Sequence, residues 1–477
     1  MIAPLKRPLR FEALPQANIA PRERETARDG GLGLLVGAAG FCCLIPYPAL
    51  AVGGTSALQL GNVLTLLLVL PVVAMSWKGR GFWLYPALLL PLFVSSLKVG
   101  VAGGGELGIS VKGTAVWAIS MLAILVPQLY GKRYAVPFLT GAALATLVHA
   151  AVGVWQVYSF STGVFPFPQL YVNQSFLSVQ DNAQIIARYT QRPFGVFPEP
   201  SAMSSSLAPW VLFFVAELCG IVRLKRRPEK WQHVLFAGAA VGGLVLIILS
   251  QSGHAAVTVA AVLVMAAIWF SRSAANLRTY GVVVVGLGVV LPAVLWFAAM
   301  SLSNRVGGSE MGNSSWAERT SSLRIGWSIL VHGDAASAIC GVGVGQMAPA
   351  LWNAASIDAV FSVLLTYVYE TGLLGALALG TVAYVLMRSW KRMRFGVAYG
   401  VIAAVWLVGI TLTTSYEQLL SLWLVLGWLT AWPEFCDVTV ASSAPKTAQK
   451  APDVRINEPG VVVSGPARDL VKRWTDR

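Results

Sequence analysis

The feature that most constrains this chain is a series of about twelve apolar runs, each close to the roughly 20 residues that a helix needs to cross a bilayer. Inside lipid every backbone N–H and C=O must find a partner within the protein, which favours helices. We therefore predict an all-α integral membrane protein. The predicted spans are 31–52, 56–76, 82–97, 113–130, 134–158, 200–222, 233–250, 253–270, 280–302, 359–387, 397–413 and 418–433.

The connectors between these runs alternate in charge. Lys and Arg are kept on the cytoplasmic side of a membrane, so a correct set of spans should make every second connector basic. The basic connectors carry Lys78/Arg80, Lys132/Arg133, Arg223/Lys225/Arg226/Arg227/Lys230, Arg272/Arg278 and Arg388/Lys391/Arg392/Arg394. The connectors between them are Gly-rich or nearly neutral. This alternation predicts that both termini are cytoplasmic.

The same pattern divides the chain into three parts. We expect a cytoplasmic tail over 1–30, a helical bundle over 31–437 and a disordered cytoplasmic tail over 438–477. Two long extracytoplasmic loops, 159–199 and 303–358, belong to the bundle, and loops of such length are usually functional or disordered. Their aromatic residues favour function.

Composition agrees with a membrane protein and excludes a nucleic-acid partner. Charged residues make up 12% of the chain and hydrophobic residues 56%, whereas soluble domains carry about a quarter charged residues. The net charge of +14 lies in short clusters between apolar runs, as orientation signals do. No Cys/His spacing or Asp-rich motif indicates a metal site, and we expect neither a metal nor a cofactor.

The first long loop ends in the charged segment 188–201, which contains Arg188, Arg192 and Glu199. Pro198 and Pro200 suit the start of the sixth span, where a carboxylate meets the positive end of the helix dipole. One interpretation is a helix cap with a surface arginine. The one we favour is that Arg192 binds an anionic substrate while Glu199 acts as a base or an orienting group.

A second candidate is His254 in the tight hairpin Ser250–His254 between two spans. An imidazole there can act as a general base or remain a hydrogen-bonded residue of the rim.

The second long loop contains Arg319 and Arg324. The periodicity of Ser321–Val331 predicts a short helix at the membrane surface. Arg324 lies three residues before Trp327, a spacing that suits contact with lipid headgroups. The alternative is binding of a diphosphate, for which the planar donor fork of arginine is well matched. The Gly341–Gly345 run that follows is expected to form a flexible or close-packed turn.

Glu370 falls inside the tenth predicted span, near its middle. A carboxylate at that depth is costly unless it is paired. Gly372 and Gly375 follow it and permit close helix packing. We favour the prediction that Glu370 is a structural polar anchor over the alternative of a direct role in catalysis.

These segments, in this order, resemble the O-antigen polymerase and O-antigen ligase superfamily. Its members have a large outer loop before the tenth span, a Gly-x-Gly run in that loop and a Glu-Thr-Gly-x-x-Gly helix after it. Here these are Gly341-Val-Gly343 and Glu370-Thr-Gly-Leu-Leu-Gly375, and the resemblance covers roughly residues 180–380. The ligases carry a histidine shortly before the Glu-Thr-Gly, where this chain has Phe361 and Ser362. Phe197-Pro-Glu199-Pro-Ser201 is like the corresponding segment of Wzy-type polymerases.

The resemblance implies a bundle of the GT-C glycosyltransferase type in a bacterial inner membrane, with its site facing the periplasm. It further implies polymerisation of undecaprenyl-diphosphate-linked oligosaccharide repeat units without a metal. Membrane lipids, a flippase and a chain-length-regulating co-polymerase are the partners that follow. Arg192 and Arg324, supported by Arg188 and Arg319, would stabilise the diphosphate leaving group. Glu199 or His254 would take the proton of the acceptor hydroxyl.

Two other functions use the same lipid-linked sugars. An O-antigen ligase would transfer the glycan to lipid A–core, and the missing histidine argues against it. A transporter would be expected to carry several ionisable residues near the midplane and an internal repeat. This chain keeps most of its charges near the ends of its spans.

Overall fold

The computed structural model describes residues 19–46, 49–52, 56–75, 83–102, 105–162, 192–197, 199–273, 310–357, 362–391, 396–412 and 419–436. Within these ranges the chain is almost entirely helical, apart from one pair of short strands. The predicted span 280–302, the predicted tail 438–477 and Arg188 lie outside the described residues.

The elements follow in chain order. They are α1 (Ile19–Cys42), β1 (Ala49–Val52), β2 (Ser56–Gln59), α2 (Leu60–Met75), α3 (Leu84–Ala102), α4 (Leu107–Met121), a 3-10 turn (Leu122–Ile124), α5 (Leu125–Thr162), α6 (Pro200–Leu218), α7 (Lys230–Leu249), α8 (Gly253–Ser273), α9 (Glu310–Val331), α10 (Ala335–Cys340), α11 (Met347–Ala355), α12 (Val363–Lys391), α13 (Val397–Leu412) and α14 (Leu420–Phe435).

Apolar helices of membrane-spanning length dominate the described part of the chain. Six helical stretches there are long and apolar enough to cross a bilayer, and three shorter apolar helices accompany them. Intramolecular helical hydrogen bonds satisfy the backbone of such segments in lipid. The chain is therefore an all-α membrane protein, as the apolar runs predict.

The predicted first span, 31–52, is wrong in its second half. The helix α1 ends at Cys42, and β1 pairs antiparallel with β2 so that Val52 lies opposite Ser56. Pro46 follows shortly after the helix end, and a proline has no N–H with which to continue a helix. The predicted second span, 56–76, correspondingly begins as a strand.

The continuous helical stretch from α4 to α5 reverses direction near Tyr134, where φ is −119° and ψ is 23°. Partners along α14 show the reversal: Trp117 packs edge-on against Trp423 at 5.7 Å, and Gln128 donates to Thr430 at 2.8 Å. Phe138, beyond the reversal, stacks on Trp428 at 5.2 Å. The basic pair Lys132/Arg133 lies at this reversal. The predicted spans 113–130 and 134–158 fall on its two sides.

Aromatic side chains fill the core between α5, α6 and α14. Trp210 and Trp428 lie with ring centroids 5.8 Å apart, and Phe213 packs edge-on against Trp428 at 5.3 Å. Tilted and edge-on ring contacts of this kind are favourable beyond the area they bury. Beside this core α1 and α5 approach closely, because Gly37 and Gly141 leave no side chain between their backbones.

The helix α12 is broken at Gly372, where φ is 64° and ψ is −148°. Val363 and Val382 line one small apolar cavity. In a straight helix these residues would be about 28 Å apart. The chain therefore doubles back at Gly372, and α12 is a helical hairpin. Glu370 lies at its apex, which corrects the prediction that it falls near the middle of a single span, 359–387.

The bundle has two chemically different ends. One, the basic end, carries Lys132, Arg133, Arg223, Lys225, Arg226, Arg227, Lys230, Arg388 and Lys391. There the Lys225 ammonium donates to the carbonyls of Pro433 and Glu434, at 2.9 Å each. The opposite end, the site end, carries Glu199, the Ser250–His254 hairpin and Glu370.

Candidate functional site

The turn over 192–197, here the entrance turn, leads the chain into α6. It changes direction at Gly195, whose φ of +58° is a conformation that L side chains rarely adopt. Arg192 precedes this change of direction and Glu199 follows it. Because the turn makes no helix or sheet, its backbone groups need other partners, and α5 supplies them.

His149 of α5 is the first of these partners. Its Nε2 donates to the carbonyl of Leu44 at 2.8 Å, and its Nδ1 accepts the N–H of Val196 at 3.0 Å. The ring stacks on Phe197 with a centroid distance of 4.7 Å. An imidazole that donates at one nitrogen and accepts at the other is neutral, with a fixed tautomer.

Gln156, two helical turns further along α5, is the second partner. Its Oε1 accepts the N–H groups of Phe194 and Gly195, both at 2.9 Å, and its Nε2 donates to the carbonyl of Gly195 at 2.7 Å. Gln156 is fully buried. The two α5 side chains therefore bind the N–H groups of three consecutive turn residues.

Glu199 stands at the start of α6 in an extended conformation, with Pro200 as the first helical residue. Its carboxyl group does not cap the helix and instead accepts the hydroxyl of Ser201. The side chain is half-buried. A carboxylate at a helix N-terminus is stabilised by the helix dipole. Glu199 is thus an ordered acid group at the rim of the bundle.

The hairpin between α7 and α8 brings His254 to the same rim. Ser204 of α6 shares a hydrogen bond of 2.8 Å with Ser250, which in turn donates to Ser252 at 3.2 Å. His254 lies in the first turn of α8 and is only 4% exposed. The helices α6 and α8 pack against each other. Arg192, Glu199 and His254 lie in the segments that enter these two helices, and we call these three residues the entrance group.

Glu370 belongs to a second cluster, here the loop group, together with Lys98 and Gly341–Gly345. Its Oε1 accepts the N–H of Gly345 at 2.8 Å, and its carbonyl accepts the hydroxyl of Ser95 at 2.5 Å and the N–H of Gly343 at 3.3 Å. Glu370 is 4% exposed. Glu370 therefore holds the glycine run, which is a close-packed turn.

Lys98 ties this loop to α3. Its ammonium donates to the hydroxyl of Ser337 at 2.5 Å and to the carbonyl of Gly341 at 2.8 Å. Asp334 caps α10 by accepting the N–H of Ser337 at 2.9 Å. Hydrogen bonds from Ser337, and to a smaller extent the nearby Lys98, hold the pKa of Asp334 below its usual value.

The predicted surface helix at Ser321–Val331 is confirmed as helical and is longer, since α9 begins at Glu310. Arg324 is exposed and Trp327 is 60% exposed, while Gly326 faces the ring of Tyr369. The Tyr369 hydroxyl donates to the carbonyl of Leu323 at 3.0 Å. Arg324 thus sits on a helix that Tyr369 fixes beside the loop group.

Two other predicted positions complete the account. Arg319 is a residue of α9 whose side chain lies outside the described part. Ser362, beside the position of the ligase histidine, caps the hairpin α12 by accepting the N–H of Leu365 at 3.2 Å. Phe361 lies outside the described residues.

Sequence reasoning missed His149, Gln156 and Lys98. A lone histidine or glutamine inside an apolar run gives no sign of a partner that is about 40 residues away. Lys98 gave a weak signal. It directly follows the predicted span 82–97, at the start of a connector that should be neutral, and a lysine there breaks the charge alternation. No protein-family model, curated protein or solved structure matches this chain.

Proposed function

We propose that this protein is a polysaccharide polymerase that joins undecaprenyl-diphosphate-linked repeat units by glycosyl transfer. The observation that carries the proposal is the entrance group. The segment 192–199 brings a guanidinium and a carboxyl group, and the hairpin between α7 and α8 brings an imidazole, to the end of the bundle opposite the basic connectors. A transfer reaction on a diphosphate donor needs a cationic group for the leaving diphosphate and a base for the acceptor hydroxyl.

The proposal includes the full membrane arrangement. Twelve spans in a GT-C type bundle would put the basic end in the cytoplasm with both termini, because Lys and Arg are retained there. The site end would then face the periplasm of a bacterial inner membrane. Lipid-linked substrates reach that side after a flippase has moved them.

In the proposed reaction an acceptor sugar hydroxyl attacks the anomeric carbon of the donor. The new C–O bond forms as the bond from that carbon to the diphosphate oxygen breaks, and its electron pair stays on the diphosphate. The hydroxyl proton passes to Glu199, which is half-buried and therefore easier for an acceptor to reach than the buried His254. His254 remains the alternative base.

Arginines would stabilise the charge that develops on the leaving diphosphate. Arg192 is suited to this role because the entrance turn fixes the backbone beside it, and preorganised donors stabilise developing charge most. Arg324, with Arg188 and Arg319 as supporting candidates, would contact the donor from the second loop. Membrane lipids and a chain-length-regulating co-polymerase complete the expected partners.

The test is a reaction of the purified protein in vesicles with lipid-linked repeat units. We expect a ladder of longer products. An O-antigen ligase would form product only with lipid A–core, and a transporter would move the substrate without joining it. Matched controls exist at the basic end: Glu229→Gln for Glu199→Gln, and His233→Ala for His254→Ala. A ladder equally strong with both entrance variants contradicts the proposed site.

A further inference from the structure

We infer that His149 and Gln156 are positioning residues that hold Arg192 and Glu199 in reacting geometry through the entrance turn. The inference rests on the proposed function and adds to it two α5 residues that never need to touch substrate. Both side chains are fully buried, and each binds the backbone of the turn.

The spacing of the two residues makes them act together. They are seven positions apart on α5, which is two helical turns, so both face the same side of the helix. Between them they accept the N–H groups of Phe194, Gly195 and Val196. Buried backbone N–H groups need acceptors, and α5 side chains supply them for these three residues, so α5 holds the turn in place.

The position of the turn determines the positions of Arg192 and Glu199. Arg192 is two residues before Phe194, and Glu199 is two residues after Phe197, whose ring stacks on His149. At Gly195 the backbone passes so close to the imidazole that an added Cβ would lie 2.7 Å from Nδ1. A turn seated this closely has little freedom to move. Misplacement of a catalytic group by about 1 Å can cost about 100-fold in rate.

The first test measures backbone protection without any substrate. We expect His149→Leu and Gln156→Leu to speed amide hydrogen exchange over 193–199 by at least about tenfold, because the turn N–H groups lose their acceptors. Thr146→Val is the matched control, since Thr146 is a buried α5 residue whose hydroxyl donates within its own helix, to the carbonyl of Ala142 at 2.9 Å. Unchanged exchange in both leucine variants overturns the inference, whatever the activity of the protein.

The second test is a double-mutant cycle on kcat. His149→Leu should lower kcat about 100-fold in the wild-type background and far less in the Glu199→Gln background, because its effect passes through that carboxylate. A purely structural role predicts equal losses in both backgrounds and would sink the inference. His149→Gln, whose amide can donate and accept as the imidazole does, should restore most of the rate.

A milder variant covers the case in which the leucine variants fail to assemble. Gln156→Asn keeps the amide but shortens the side chain by one methylene group, so it withdraws from the turn without burying an apolar group. Faster exchange over 193–199 with a lower kcat supports the inference, and wild-type values of both contradict it. Absence of a ladder with the wild-type protein would remove the proposed function while the exchange measurement still decides whether α5 holds the turn.

Discussion

The loop group and the entrance turn are held by different kinds of side chain. In the loop group charged side chains bind the backbone: Glu370 accepts the N–H of Gly345, and Lys98 donates to the carbonyl of Gly341. At the entrance turn two neutral side chains of α5, His149 and Gln156, bind the backbone. Arg192 begins that turn, and Glu199 follows it.

Under the proposed function, the entrance group carries out the reaction and the loop group supports the fold. A carboxyl group that holds a backbone N–H in a buried site must stay where it is for the fold to persist. A half-buried carboxyl group beside a rigid turn can exchange a proton without loosening the structure. We therefore expect changes in the entrance group to affect the rate and changes in the loop group to affect stability.

The largest effect is expected from Arg192→Ala. Loss of one preorganised donor to a developing charge lowers the rate about 100-fold or more. The measurement is kcat/KM for repeat-unit joining, with Arg226→Ala at the basic end as the control. An Arg192→Ala enzyme with a normal rate would remove the distinction between the two groups.

Gly372→Ala should unfold the loop group first. At φ 64° and ψ −148° an alanine is strained by about 1–3 kcal/mol, and its Cβ would also press on the backbone of Ile339. Thermal unfolding in detergent measures the loss. Gly380→Ala is the control, because Gly380 lies in the second arm of α12 with open space around it. Equal stability of the two variants would contradict the hairpin at Gly372.

Lys98→Met should have a smaller effect of the same kind. Two charge-assisted hydrogen bonds are lost while the aliphatic packing is kept, at a cost of about 1–2 kcal/mol for this partly exposed group. We expect lower thermal stability with kcat within about tenfold of wild type. Lys391→Met at the basic end is the control. A rate loss as large as that of Arg192→Ala would assign Lys98 to the reaction instead.

The smallest effect concerns Asp334. Its pKa is lowered in the folded state, so it stabilises the fold above its ordinary value near 3.8 and loses that contribution as the pH falls through the lowered pKa. Thermal unfolding of wild type and Asp334→Asn should therefore differ at pH 7 and converge in acid. A difference in thermal stability that grows as the pH falls would contradict this prediction.

The sequence predicts the helices well, because a long apolar run leaves the backbone few alternatives in lipid. The reversal near Tyr134 could be predicted from the sequence, because the basic pair Lys132 and Arg133 marks a connector between two spans. The reversal at Gly372 has no basic pair to mark it, and Glu370 stands just before it inside one long apolar run. The β-hairpin after α1 was missed because Ala49–Val52 is itself apolar, so the apolar run continues past the end of the helix.

The candidate site is predicted only in part. Glu199 and His254 stand out as polar residues at the ends of apolar runs. That they share a rim depends on the bond between Ser204 and Ser250, 46 positions apart, which no local pattern encodes. The bonds of His149 to the entrance turn are likewise long-range, and a lone histidine in a span gives no indication of them.

The most direct test compares the two carboxyl groups by the same substitution. The measurement is the single-turnover rate of repeat-unit joining, with thermal stability recorded beside it, for Glu199→Gln and Glu370→Gln. The account predicts that Glu199→Gln loses about 100-fold or more in rate and keeps its stability, whereas Glu370→Gln keeps its rate within about tenfold and loses about 1–2 kcal/mol of stability. A Glu199→Gln protein that joins repeat units at the wild-type rate, or a stable Glu370→Gln protein that has lost the reaction, would contradict it.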